Sequence, residues 1–88
     1  MQQITKQKIE KYLGITEKAL ESVKTSSKGG GLVLDMAQRY FSDAKHYYMK
    51  KDFVTAFAAV NYAHGWLDAG ARLGAIKVNK NRELFTID

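Results

Sequence analysis

The chain contains no cysteine and no proline. Without cysteine there is no disulfide, no zinc–thiolate centre and no cysteine nucleophile. The soluble, reducing cytoplasm is therefore the expected location. Without proline nothing interrupts a helix from within. No apolar run approaches the roughly 20 residues that cross a bilayer. The opening stretch, MQQITKQKIEKYL, is amphipathic and mixed in charge, unlike a secretory signal. A phosphate-binding loop is missing too. KGGG, residues 28–31, follows no predicted strand and lacks the lysine–serine/threonine ending.

What is present is 88 residues with a formal net charge of +5. That length predicts one domain, residues 1–88, burying only about 60–65% of its unfolded surface. The positive excess sits at the front. Residues 1–28 hold six lysines against three glutamates, while residues 53–75 hold only Arg72 and Asp68 as charged side chains. Lysines interleaved with acids at helical spacing describe a solvated face. No arginine cluster argues for nucleic acid as a partner.

Apolar residues recur at three- and four-residue steps in three segments, which predicts three helices. The first spans about 3–24, with Ile9, Tyr12, Leu13, Leu20 and Val23 on one stripe. Gly14 weakens it, and a break there with Thr16 recapping is the alternative. Residues 25–31, small and polar, read as a linker. The second helix spans about 32–50, with Val33, Met36, Ala37, Tyr40, Ala44, Tyr47 and Tyr48 on one face. Asp52 is a good N-cap for a third helix over about 53–73, and Gly74 a good stop. The short connection makes helices two and three antiparallel. The tail, 75–88, reads as extended, with a turn at Asn79-Lys80-Asn81 folding it into a short hairpin. The expected fold is all-α: a three-helix, up-down-up bundle with an extended C-terminal tail.

The third helix is apolar nearly all round. One face holds Phe53, Phe57, Val60, His64, Leu67 and Ala71; the opposite face holds Ala59, Tyr62, Trp66, Ala69 and Leu73. Such a helix is covered on both sides. Tyr62, Trp66, Ala69 and Leu73 are therefore a candidate interface, covered by the tail or by a second subunit, with the tail ranked first because it ends Leu84-Phe85-Thr86-Ile87. His64 falls at the centre of the first face, buried and bonded to Asp68, Asp43 or a tyrosine. Tyr40, Asp43, His64 and Asp68 form a candidate polar cluster or ligand site. Asp43-x2-His46 and His64-x3-Asp68 have metal-ligand spacing, but His46 points roughly 160° away from the face His64 presents, so no metal is expected. No other cofactor and no catalytic residue is indicated. Arg39-x6-His46 resembles the pair of the HEPN ribonucleases, though Tyr40 stands where those prefer a small polar residue.

Residues 37–76 resemble an archaeal domain-of-unknown-function family, number 357. The pattern is Tyr40, Asp43 and Ala44, the Lys51-Asp52 turn, Ala56, the block from Tyr62 to Gly70, and Leu73-Gly74. The resemblance implies a small three-helix bundle of archaeal origin with no established activity; some relatives look fused to nucleotidyltransferase-like domains. The expected role is a non-enzymatic interaction or accessory module, with a protein partner or a second copy. The alternatives are a ligand- or nucleotide-binding accessory domain beside a nucleotidyltransferase-like partner, and a metal- or histidine-dependent enzyme using Asp43, His64 and Asp68.

Overall fold

The computed structural model describes residues 4–26, 29–78 and 82–84. Three helices carry the fold: α1 (Lys6–Glu21), α2 (Gly30–Met49) and α3 (Phe53–Arg72). Two short strands, β1 (Val23–Thr25) and β2 (Ile76–Val78), and one 3-10 turn at Arg82–Leu84 complete it. The protein is an all-α three-helix bundle, as the periodicity predicts.

α1 starts where the Thr5 hydroxyl accepts a hydrogen bond from the Lys8 N–H at 3.1 Å. It runs unbroken through Gly14. It ends three residues earlier than predicted. The Ser22 hydroxyl donates back to the Lys18 carbonyl at 2.6 Å, and the chain then leaves as β1. β1 pairs antiparallel with β2, Val23 opposite Val78 and Thr25 opposite Ile76. Thr16 is not a cap but a core residue, only 1% exposed, and its hydroxyl has no hydrogen-bond partner among the described residues. A buried, unpaired hydroxyl costs about 1–3 kcal/mol. Thr16→Val keeps the shape and removes that cost, so it is expected to raise stability by about 1 kcal/mol in urea titration. A loss of stability would mean the hydroxyl is satisfied.

The predicted linker 25–31 is mostly ordered structure. Thr25 belongs to β1, and α2 already begins at Gly30, which is buried. At the other end of α2, Lys51 donates to the Tyr48 carbonyl at 3.0 Å and Asp52 to the Tyr47 carbonyl at 2.9 Å. This paired closure requires a left-handed residue, and Lys51 supplies it with φ 64°. A side chain there is strained, and glycine is the residue that adopts it freely. Lys51→Gly is expected to raise stability by about 1 kcal/mol, seen as a thermal midpoint roughly 4–8 °C higher. An unchanged or lower midpoint would show that the lysine contributes contacts outweighing its strain.

Asp52 caps α3 as predicted, its carboxylate accepting from the Thr55 N–H at 3.2 Å. Beyond α3, Gly74 takes φ 75° and turns the chain into β2. α1 lies antiparallel to α2. Near its start, Glu10 accepts a 2.6 Å hydrogen bond from the Tyr48 hydroxyl near the end of α2. That hydrogen bond is the main reason the Tyr48 pKa is raised above 10.0. The tie is intact below pH 10 and is lost as pH rises through the raised value.

The core has two parts. Near the strands, Ala19, Val33, Ala37, Leu67 and Ile76 pack together, with Val78 and Leu84 of the tail against them. Nearer the α2–α3 turn, Ala44, Ala59 and Val60 pack with Tyr12, Leu13 and Phe57. The tail therefore adds a strand to β1 and seals the core end. The turn expected at Asn79-Lys80-Asn81 lies outside the described residues.

Candidate functional site

The buried stripe of α3 is Ala56, Ala59, Val60, Ala63, Leu67 and Gly70. Five of the six are small or short. They let α2 come close: a Cβ built on Gly70 would meet Val33 Cγ1 at 2.5 Å. At 100° per residue, this stripe centres on Ala56, Ala63 and Leu67, and His64 lies about 80° to one side of it. Sequence reading placed His64 at the centre because it weighted the large residues. The small ones make the seam.

The His64 side faces α1. Phe57 on this flank meets the Tyr12 ring edge-on at 5.4 Å, and the Lys8 ammonium stands 5.3 Å from the centre of the Phe57 ring. His64 Nε2 lies 3.6 Å from Asp68 Oδ1, their side chains 24% and 20% exposed. This is a half-buried pair on the rim of the bundle. Asp43 is exposed on α2. Among the described residues, no three His, Cys, Asp or Glu side chains come together as metal ligands would. Tyr40 belongs elsewhere, stacked on Tyr62 with ring centres 5.3 Å apart. Of the candidate polar cluster, His64 and Asp68 meet. Arg39 pairs with Asp35 at 2.9 Å, and His46 is exposed against the Tyr47 ring.

The other side of α3 is open. Tyr62 is 62% and Leu73 82% exposed, and Ala69 is exposed as well. Trp66 is half-buried, packed inward on the Leu67–Ile76 cluster. The described part of the tail supports Trp66 from the inside and leaves the outward face bare; Phe85 and Ile87, also expected to cover it, lie outside the described residues. A recess of about 330 Å³ opens here, lined by Asn61, Tyr62, Gly65, Trp66 and Ala69. Gly65 forms its floor by lacking a side chain.

Sequence reasoning missed that this face extends to Val54, 68% exposed, and to Ala58 and Gly65. The signal was available. Val54, Ala58, Tyr62, Gly65, Ala69 and Leu73 follow one another at three- and four-residue steps, and none is charged. Helices that face water carry charge along that side; here the side carries only Arg72, the last residue of the helix.

Among the described residues, no helix is long and apolar enough to cross a membrane. Neither the curated proteins nor the solved structures contain a match to the chain. A family model does match, over residues 11–76, taking in most of α1, all of α2 and α3, and the first residue of β2. The chain belongs to that family, described as Protein of unknown function (DUF357).

Proposed function

We propose that this protein is a non-enzymatic interaction module of the cytoplasm, docking a protein partner through the outward face of α3. The observation that carries the reading is an apolar stripe along a 20-residue helix, with Val54, Tyr62 and Leu73 at 68%, 62% and 82% exposure. An apolar patch of this extent marks an interaction surface on a protein this small. Tyrosine and tryptophan among small residues are the composition of an interface centre. The face bears a single cation, Arg72 at the end of the helix, and so small a positive charge argues against nucleic acid as the partner. The enzyme reading has less support, since among the described residues no three His, Cys, Asp or Glu side chains are grouped as metal ligands would be.

The ligand-binding alternative rests on the recess by Trp66, whose 330 Å³ falls at the lower end of small-molecule sites. Its polar groups are few, so any ligand there would be apolar or aromatic.

The test uses the full chain at about 1 μM with a hydrophobic dye, since an exposed apolar face binds dye without unfolding. Native protein is expected to bind it. The double substitution Tyr62→Glu, Leu73→Lys is expected to abolish binding while moving the thermal midpoint by less than about 10 °C, the loss of the Tyr40 stack included. A drop of more than about 10 °C would show that the face packs within the protomer, and the reading would be wrong.

A further inference from the structure

We infer that the occupant of this face is a second copy of the chain, with α3 pairing antiparallel to α3. The inference rests on the docking reading above. Its first support is the spacing. From Val54 to Leu73 the stripe steps by four, four, three, four and four residues, the same in both directions. A two-fold axis between Ala63 and His64 therefore lays the stripe on itself. Val54 falls opposite Leu73, Ala58 opposite Ala69, and Tyr62 opposite Gly65. Isologous pairing demands such self-complementarity.

Side-chain sizes agree with that register. The largest residue of the stripe meets the one without a side chain. A Cβ built on Gly65 touches nothing within 4 Å, so no close contact among the described residues accounts for a glycine in mid-helix. In the pair, the Tyr62 ring of each copy enters the recess over Gly65 of the other. Stacking on Tyr40 at 5.3 Å already holds that ring in place. Ala58 and Ala69 allow the backbones to approach on either side.

The charged side chains from Phe53 to Leu73 are Asp68, off the stripe beside His64, and Arg72 at the end of the helix. In this register Arg72 of each copy lies opposite Thr55 of the other, within a turn of Asp52 and Lys51, so the centre of the pair is free of charge and the charges fall at its rim. Val54, Tyr62 and Leu73 leave on the order of 400 Å² of apolar surface per copy. With the rims included, the pair buries on the order of 1,000 Å² in total, the lower limit of a specific interface. The dimer therefore forms at tens of micromolar rather than at nanomolar, as an order of magnitude.

Because the chain has no cysteine, introduced thiols report the register directly. Ala58→Cys and Ala69→Cys, mixed and mildly oxidised, are expected to give a covalent dimer. Neither variant alone should, since equal positions sit about 16 Å apart along an antiparallel pair, beyond disulfide reach. Wild-type protein sedimented from about 1 μM to 1 mM is expected to move from one chain mass of 9.9 kDa to twice that mass. Tyr62→Ala is expected to weaken association at least about tenfold. Monomer throughout the range overturns the inference, and so does rapid cross-linking of Ala58→Cys by itself, which indicates a parallel or shifted pair. If the monomer still binds dye through Tyr62 and Leu73, self-pairing alone is wrong and a different protein occupies the face. If native protein binds no dye, the docking reading itself fails.

Discussion

Leu67→Ala is expected to cost about 3–5 kcal/mol, among the largest effects of truncating any one of the described residues. Leu67 is fully buried, at 0% exposure. It stands where all the elements meet, against Ala19 of α1, Val33 and Ala37 of α2, and Ile76 of β2. The cost of a cavity depends on how far the surroundings can collapse into it. Here two of the four buried neighbours are alanines, which have no side chain to swing into the void. The upper part of the range is therefore expected. Total stability for a domain of this size is on the order of 4–13 kcal/mol, so the variant would lose a large share of it. Urea titration of the full chain measures the loss, with Leu73→Ala as the contrast. Leu73 is 82% exposed, and its truncation should stay within about 0.5 kcal/mol. A Leu67→Ala loss under about 1 kcal/mol would mean that the core does not centre there.

The difference between these two leucines bears on what was legible in the sequence. Both sit at helical spacing on α3, and periodicity alone placed each on an apolar face. Three helices, the antiparallel turn at 50–52 and the Asp52 cap were readable because each depends on residues within one turn of one another. The direction in which α3 points was less readable. Its seam is built from Ala56, Ala63 and Gly70, which carry little weight in a hydrophobic pattern, so the large residues on both flanks drew the centre towards themselves. His64 was moved inward by that error, and Val54, Ala58 and Gly65 were left off the outward face. Asp43 was grouped with His64 by spacing within each helix, but spacing does not say which flank of α2 faces which flank of α3. The Tyr40–Tyr62 stack shows where that side of α2 lies. The strand pair was hidden for another reason. Three residues at each end, some 50 positions apart, give no local signal strong enough to compete with a helix end and a tail.

The glycines at 29–31 were the clearest misreading, and they give the second large expected effect. By propensity, Gly→Ala within a helix stabilises by up to about 1 kcal/mol. At Gly30 the sign reverses. A Cβ there runs into the backbone carbonyl of Ala75 and lies 3.0 Å from the Thr25 Cβ. The obstacle is main chain, which cannot rotate aside as a side-chain tip can. That same carbonyl accepts a hydrogen bond from the Ser26 N–H at 3.1 Å, and the neighbouring Gly74 carbonyl accepts from the Ser26 hydroxyl at 2.6 Å. Making room for one methyl group pushes α2 away from the strand pair and pulls on both bonds. Gly30→Ala is therefore expected to cost about 2–4 kcal/mol, overpacking and a weakened hydrogen bond together, or a midpoint lower by on the order of 10–25 °C. Gly31 lies one residue further into the same helix, and a Cβ there meets nothing within 4 Å. Gly31→Ala should stabilise by up to about 1 kcal/mol. Two adjacent glycines thus respond to the same substitution with opposite signs. If Gly30→Ala stabilises as Gly31→Ala does, α2 does not start against the strands, and the run is the flexible linker its composition suggests.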